Sequence, residues 1–283
     1  MIISGKAKVA GVMGWPVGHS RSPRLHGFWL DKYGIDGAYV PLSVPPERAA
    51  EAIRALPALG LRGCNVTVPH KEIAAATVDH LDESARGVGA VNTIVVREDG
   101  SLEGRNTDGF GFVENLRAGA PGWRADAGPA VVVGAGGAAR GVIAAILDAG
   151  APEVWLVNRT RERADALAAD LAATLGPKTR VFDWVSRETI LAEAALLVNT
   201  TTQGMAGQPP LDLDLRHLPA SAVVTDIVYT PLVTPLLAAA AERGHRTVDG
   251  IGMLLHQARP GFAAWFGVEP EVTEELKVFV LGS

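Results

Sequence analysis

The sequence predicts an α/β protein of two domains, and three observations carry that expectation. At 283 residues the chain is longer than one ordinary core requires. Its middle and later parts alternate short β-branched runs with alanine-rich helical segments, the pattern of a parallel sheet with helices on both faces. Between the first such run, Val131 to Val133, and its helix stands Gly134-Ala135-Gly136-Gly137-Ala138-Ala139, a glycine-rich turn opening a helix that runs to Asp148.

With 48% hydrophobic and 20% charged residues the composition is that of an ordinary globular chain. Net charge is −5 and the 26 basic residues are scattered, so a small-molecule partner is expected rather than nucleic acid or an anionic membrane. The single cysteine, Cys64, cannot form an internal disulfide and fits a cytoplasmic setting. Met1 to Gly14 lacks the layout of a signal peptide. The most apolar stretch, Val223 to Ala241, is interrupted by Asp226, Pro231 and Pro235, so no membrane span is expected. No metal-ligand spacing is visible.

In chain order, Lys8 to Met13 reads as a strand, Gly14 to Pro23 as a loop and Arg24 to Tyr33 as a helix. Ser22 fits an N-cap with Pro23 at the first helical position, whereas Ser20 has no such structural explanation. Two hydroxyls beside a helix N-terminus suit a small carboxylate, because the backbone there already favours negative charge. Ala38 to Leu42 is a strand, Pro45 to Leu56 a helix and Gly63 to Val68 a strand, with Asn65 and Thr67 on one face and Lys71 just beyond its end. Gly89 to Thr93 opens another strand, and Gly104 to Gly109 follows as a turn carrying Asp108. Asn92, Asp108 and Lys71 are candidates to converge, although each also fits a turn, a cap or a surface charge.

Phe110 to Leu116 is a helix leading through the loose segment 118–123 to the glycine turn. Gly134 can take unusual turn geometry, Gly136 lets a pyrophosphate approach the backbone, and Ala139 is small enough for close helix-strand packing. The strand Val154 to Val157 ends in Asn158-Arg159-Thr160-Arg161-Glu162-Arg163, where an NAD site usually presents an acid to the ribose. There is no acid at the strand tip and there are three arginines, so Arg159, Thr160 and Arg163 read as a 2′-phosphate clamp and the expected cofactor is NADP; Arg161 reads as a surface residue. A helix at Arg161 to Leu175, a strand at Ala194 to Asn199 and another at Val223 to Val228 complete a doubly wound Rossmann-type domain. The tail, from Asp249, turns into a helix with Gln257 in its first turns and Phe262, Trp265 and Phe266 along a buried stripe; His256 reads as structural or exposed.

The motifs, in order, resemble the shikimate/quinate dehydrogenase family. They are Gly14-x-Pro16-x-x-His19-Ser20-x-Ser22-Pro23-x-x-His26, Asn65-Val66-Thr67-x-Pro69-x-Lys71, Ala90-Val91-Asn92-Thr93, Asn106-Thr107-Asp108-Gly109, Gly134-x-Gly136-Gly137-Ala138, Asn158-Arg159-Thr160 and Asp249-Gly250-x-Gly252-Met253-Leu254-x-x-Gln257-Ala258. The resemblance implies a substrate domain at 1–108, an NADP-binding Rossmann domain at 109–249 and C-terminal helices, 250–283, packing on the first domain. It implies NADPH-dependent reduction of 3-dehydroshikimate to shikimate, in the biosynthesis of chorismate and the aromatic amino acids.

By motif position, Ser20 and Ser22 would bind the substrate carboxylate. Thr67, Asn92, Asp108 and Gln257 would hold its ring hydroxyls, Tyr229 would border it, and Lys71 with Asp108 would be the catalytic pair. Gly134, Ala135, Gly136, Gly137, Ala138, Asn158, Arg159, Thr160, Arg163, Thr201 and Gly250 would meet the cofactor, with Ile227 and Met253 at the nicotinamide. The chain departs from the family pattern at Gly27, at His256 and in Thr200-Thr201-Thr202, none of which touches Lys71 or Asp108. The alternatives are a quinate/shikimate dehydrogenase using NAD, disfavoured by the arginines, a dehydrogenase of the same layout acting on another substrate such as a folate or an amino acid, which would not need Ser20-x-Ser22, and a non-catalytic nucleotide-binding regulator, disfavoured by the presence of Lys71 and Asp108. The expected assembly is a monomer or homodimer.

Overall fold

Each half of the chain folds around a six-stranded sheet, seen in a computed structural model that describes residues 3–282. The chain divides into two compact units, residues 1–107 with 257–283 and residues 108–256.

The first unit contains β1 (Lys8–Gly14), α1 (Ser22–Lys32), β2 (Gly37–Ser43), α2 (Ala49–Ala55), β3 (Leu61–Val66), α3 (Lys71–Thr77), β4 (His80–Leu81), α4 (Glu83–Val88), β5 (Thr93–Val96) and β6 (Leu102–Arg105). The sheet order is β2-β1-β3-β5-β6-β4. β1, β2 and β3 run parallel, and β5 is antiparallel to both β3 and β6. In this register Met13 lies beside Val66, Asn65 beside Thr93, and Thr93 beside Arg105. The loops after β1, β3 and β6 and the residues preceding β5 therefore leave one end of the sheet. Topology thus places the segments bearing Ser20, Ser22, Thr67, Lys71, Asn92 and Thr107 at a common edge.

The second unit begins with α5 (Asp108–Gly119) and continues through β7 (Ala130–Val133), α6 (Gly137–Asp148), β8 (Val154–Val157), α7 (Arg161–Leu175), β9 (Thr179–Phe182), β10 (Leu196–Asn199), β11 (Val223–Asp226), α8 (Pro235–Glu242) and β12 (Arg246–Val248). All its strands are parallel, in the order β12-β11-β10-β7-β8-β9. Alternation along each strand feeds two cores. Ala130, Val132, Leu156 and Val198 pack with α5, α6 and α7, while Val131, Val133, Val157 and Leu197 pack with Leu236 and Leu237 of α8. Strands buried on both faces read as continuous apolar runs, which is why β7, β8, β10 and β11 were visible in the sequence.

Two helices close the chain, α9 (Ile251–Phe266) and α10 (Glu274–Leu281). Phe262, Trp265 and Phe266 are buried, and the Trp265 indole donates to Ile94 O at 3.0 Å on the first sheet. Beneath them His26 is fully buried, stacked on Tyr39 at 3.9 Å and edge-on to Trp29 at 5.7 Å.

Several boundaries differ from expectation for local reasons. The α1 helix starts at Ser22, not Arg24, with Arg21 at the cap position and Ser22 inside the first turn. The Ser20 hydroxyl accepts from Ser22 N at 3.3 Å, so the structural duty expected of Ser22 falls on Ser20. Strand β3 ends at Val66 and Thr67 lies beyond it, although Thr67 N still donates to Met13 O. The expected 104–109 turn is the end of β6, two loop residues and the start of α5.

Neither ring nitrogen of His26 has a hydrogen-bond partner among the described residues, and burial pushes its pKa down from 6.5 to about 3. The unfolded chain therefore takes up a proton near pH 6.5 that the native state refuses until about pH 3. Stability contributed by this site is present above pH 6.5 and lost as pH falls through that window. Replacing His26→Phe is expected to flatten this acid limb by up to about 1.4 kcal/mol per pH unit in urea unfolding, and an unchanged slope would contradict it.

Candidate functional site

In the first unit two of the expected substrate residues, Asn92 and Gln257, belong to a buried polar network. Asn92, only 3% exposed, holds its side-chain oxygen 2.9 Å from Thr93 Oγ1, 2.9 Å from Thr107 N and 3.2 Å from Thr107 Oγ1. Its amide nitrogen is directed at Gln257 Oε1, 3.5 Å away. The Thr107 hydroxyl, also 3.5 Å from Gln257 Oε1, has one proton to share between Gln257 and Asn92. Asn65 extends the network, donating to Asn92 O and Thr93 Oγ1 and accepting from the Tyr39 hydroxyl at 2.6 Å. Burying so many polar groups is tolerable only because they satisfy one another, and that mutual satisfaction fixes each rotamer.

Lys71 is the first residue of α3, and its neighbours are pinned. His70, fully buried, sets Nε2 2.8 Å from Val44 O, and Lys71 O accepts from Val91 N at 2.9 Å. The backbone carrying Lys71 is thereby tied to both flanking segments. Ser20 is half-buried and Ser22 buried at the start of α1. Ser20, Ser22, Thr67, Lys71, Asn92 and Gln257 all belong to the first unit, whereas Asp108, the first residue of α5, and Tyr229 belong to the second.

In the second unit the strand order reverses direction between β7 and β10, and the glycine turn lies at their carboxyl ends, the place where open α/β sheets bind ligands. Gly134 has φ +109°, and a Cβ there would fall 2.7 Å from Thr200 Oγ1 and 2.8 Å from Thr201 Cγ2. That position requires glycine on both counts. Around Gly136 and Gly137 the space is open, and α6 has a glycine at its cap, so no side chain covers the first-turn N–H groups. An open cradle of N–H groups at the positive end of a helix fits a diphosphate.

After β8, Asn158 donates to Thr160 O at 2.7 Å and shapes the next turn. Arg161 is engaged by Asp183 at 2.6 Å and Asp165 at 3.4 Å, whereas Arg159 and Arg163 are exposed and make no ion pair among the described residues. Arg161 thus behaves as the surface residue it was read to be, with two unpaired guanidinium groups beside it.

The structure adds a feature that the sequence reading missed. Asp226, fully buried at the end of β11, accepts from Asn199 Nδ2 at 3.0 Å, Val228 N at 3.0 Å and Thr234 Oγ1 at 2.8 Å. The other face of Asn199 accepts from Thr201 N and Thr201 Oγ1. Burial holds the Asp226 carboxyl above the ordinary range even though three donors act against it. Pulling Val228 N onto this carboxylate ends β11 at Asp226 rather than Val228, and it aims the segment Ile227 to Tyr229. Ile227 and Met253 pack on the same core cluster, and a Cβ at Gly250 would overlap Ile227 O, which makes that close approach a glycine position. The one acid closing the apolar run Val223-Val224-Thr225 was the available signal.

Among the described residues no helix is long and apolar enough to cross a membrane, and no cluster of His, Cys, Asp and Glu is placed to hold a metal.

Together these features define an α/β protein with a Rossmann-type dinucleotide-binding unit, its other unit holding a buried polar network. The family described as shikimate dehydrogenase substrate binding domain matches residues 12–94, and that described as shikimate / quinate 5-dehydrogenase matches residues 124–204. Shikimate dehydrogenase (NADP(+)) of Paramagnetospirillum magneticum is 64% identical over 279 residues, covering 99% of this chain and 100% of that protein. The protein of the same name from Rhodospirillum rubrum is 65% identical over 281 residues, covering 99% of each chain. Among solved structures, shikimate 5-dehydrogenase from Thermus thermophilus in complex with NADP(H) and shikimate is 36% identical with a TM-score of 0.81, covering 93% of this chain and 95% of that one. Quinate dehydrogenase from Corynebacterium glutamicum in complex with NAD is 31% identical with a TM-score of 0.89, covering 97% and 99%. The chain belongs to the shikimate dehydrogenase family.

The replacement Asp226→Ala leaves three buried donors without an acceptor. It is expected to destabilise the protein by at least about 1–3 kcal/mol, seen as a drop of several degrees in Tm, and an unchanged Tm would remove Asp226 from the account.

Proposed function

We propose that this protein catalyses the NADPH-dependent, reversible reduction of 3-dehydroshikimate to shikimate. The observation that carries the reading is the pairing of two features in one chain: the Asn92-Gln257-Thr107 network in the unit that also carries Ser20, Ser22 and Lys71, and a glycine cradle followed by two arginines without ion pairs among the described residues. The high identity to relatives named for NADP supports the same cofactor here.

Ser20 and Ser22 offer hydroxyls to the substrate carboxylate at the start of α1, where the helix N-terminus adds its own attraction for an anion. Thr67, Asn92 and Gln257, all of the first unit, hold the ring hydroxyls. With the Asn92 oxygen committed inside the protein, its amide nitrogen is the side that meets acceptors, which makes Asn92 a donor toward substrate.

The residues Gly134 to Ala138 would hold the diphosphate of NADP, with Asn158, Arg159, Thr160 and Arg163 at the adenosine 2′-phosphate and Thr201, Ile227, Gly250 and Met253 toward the nicotinamide. When bound, NADPH supplies the hydride. Lys71 donates the proton to the ketone oxygen as charge builds on it. In the reverse direction Lys71 takes the proton from the hydroxyl of shikimate. A cytoplasmic location and a monomeric or homodimeric state complete the reading; the buried, unpaired Cys64 suits a reducing compartment.

Two variants test it. Lys71→Ala is expected to lower kcat at least ~100-fold while KM for shikimate changes much less, and wild-type turnover would remove Lys71 from the chemistry. Arg159→Ala is expected to raise KM for NADP roughly 10- to 100-fold and to leave the poor use of NAD nearly as it was. Equal weakening of both cofactors would refute a phosphate clamp.

A further inference from the structure

The geometry points to Arg21 as a positioning residue through which the C-terminal helix α10 sets the carboxylate-binding loop. This inference rests on the assignment of Ser20 and Ser22 to the substrate carboxylate and extends it to a residue and a helix that no motif includes.

Arg21 stands between the two serines and occupies the cap position of α1, where Ser, Thr, Asp or Asn are the usual choices and a cation opposes the helix dipole. Its guanidinium does not cap α1. Nη1 instead donates to Val280 O and Leu281 O, each at 2.8 Å, two carbonyls of the last turn of α10. Such carbonyls lack helical partners and carry the negative end of the dipole, so a cation there is held by charge as well as by hydrogen bonds.

The α10 helix is in turn secured along the rest of α1. Arg24 Nε donates to Phe279 O at 2.5 Å and its guanidinium lies 4.5 Å from the centre of the Phe279 ring, which also meets Phe28 at 5.2 Å. At the approach to α10, Glu271 O accepts from the Trp29 indole at 3.0 Å, and Glu271 N donates to the Tyr33 hydroxyl at 3.1 Å. Val280 itself is buried.

Three consequences follow from this arrangement. First, Arg21 is anchored to a helix more than 250 residues away in sequence, so the peptide units of Ser20 and Ser22 on either side of it are restrained. Second, the positive charge is partly satisfied by α10 carbonyls, which removes it as the principal partner of a carboxylate and leaves that task to the hydroxyls and the α1 N-terminus. Third, α10 becomes a determinant of affinity for the acid substrate although none of its side chains is a candidate ligand.

The test uses Arg21→Ala and Arg21→Lys in the full-length enzyme, with thermal melting to establish that each is folded. Shikimate, its methyl ester and NADP are varied separately, and amide hydrogen exchange is followed over residues 17–24 and 274–281. Arg21→Ala is expected to raise KM for shikimate about 10-fold or more, with the effect on KM rather than kcat and little effect on KM for NADP. With the methyl ester, which lacks the carboxylate charge, the gap between variant and wild type is expected to shrink, and exchange is expected to quicken in both segments. Arg21→Lys keeps the charge but not the fork, so it is expected to recover only part of the affinity.

Unchanged KM for shikimate in both variants would overturn the inference. So would full recovery by lysine with α10 exchanging as in Arg21→Ala, since charge alone would then suffice and Arg21 would be a direct partner of the substrate. If wild-type protein fails to oxidise shikimate with NADP at all, the underlying functional reading fails instead.

Discussion

A single side-chain oxygen, that of Asn92, organises the substrate half of this protein. It is nearly inaccessible to water and is surrounded by Thr93 Oγ1, Thr107 N and Thr107 Oγ1, so it has no remaining capacity for a ligand. That commitment sets the amide nitrogen toward Gln257 and, through Thr93 and Asn65, connects the adjacent strands β5 and β3 to a helix returning from the far end of the chain. Losing the acceptor would strand several buried donors together, because a half-satisfied network is worse than an apolar core. The second unit repeats the device with a carboxylate. Asp226 gathers Asn199, Val228 and Thr234 and so determines where β10 and β11 hand over to their loops. In both units a buried polar acceptor fixes the backbone and side chains around the candidate ligand residues.

Much of the second unit was legible in the sequence, since parallel strands buried on both faces announce themselves as apolar runs and the glycine turn marks the point of reversal. The two edge strands, Thr179–Phe182 and Arg246–Val248, were not, because partial exposure leaves them without a clean pattern. The arginines were readable in kind: Arg161, read as a surface residue, forms ion pairs with Asp183 and Asp165.

The first unit was harder, and the reason is sequence separation. Asn92 meets Thr107 across 15 residues and Gln257 across 165, and no local periodicity encodes such pairs. The motifs name these residues but do not show which of them meet one another. Ser22 was also read as the N-cap of α1, whereas in the structure Arg21 holds the cap position and the Ser20 hydroxyl accepts from the backbone of Ser22. The Asp226 network and the anchoring of Arg21 on α10 were missed for the same reason. Each is a contact between chain ends or strand ends that only the fold brings into register.

The central claim is that one chain combines a site for a hydroxylated carboxylate ring with an NADP site. The most direct measurement is nicotinamide reduction by the purified protein with shikimate or quinate, each crossed with NADP or NAD. The account predicts strong turnover with shikimate and NADP and little in the other three combinations. Turnover chiefly with quinate or with NAD would contradict the specificity, and inactivity in all four would contradict the assignment of the reaction itself.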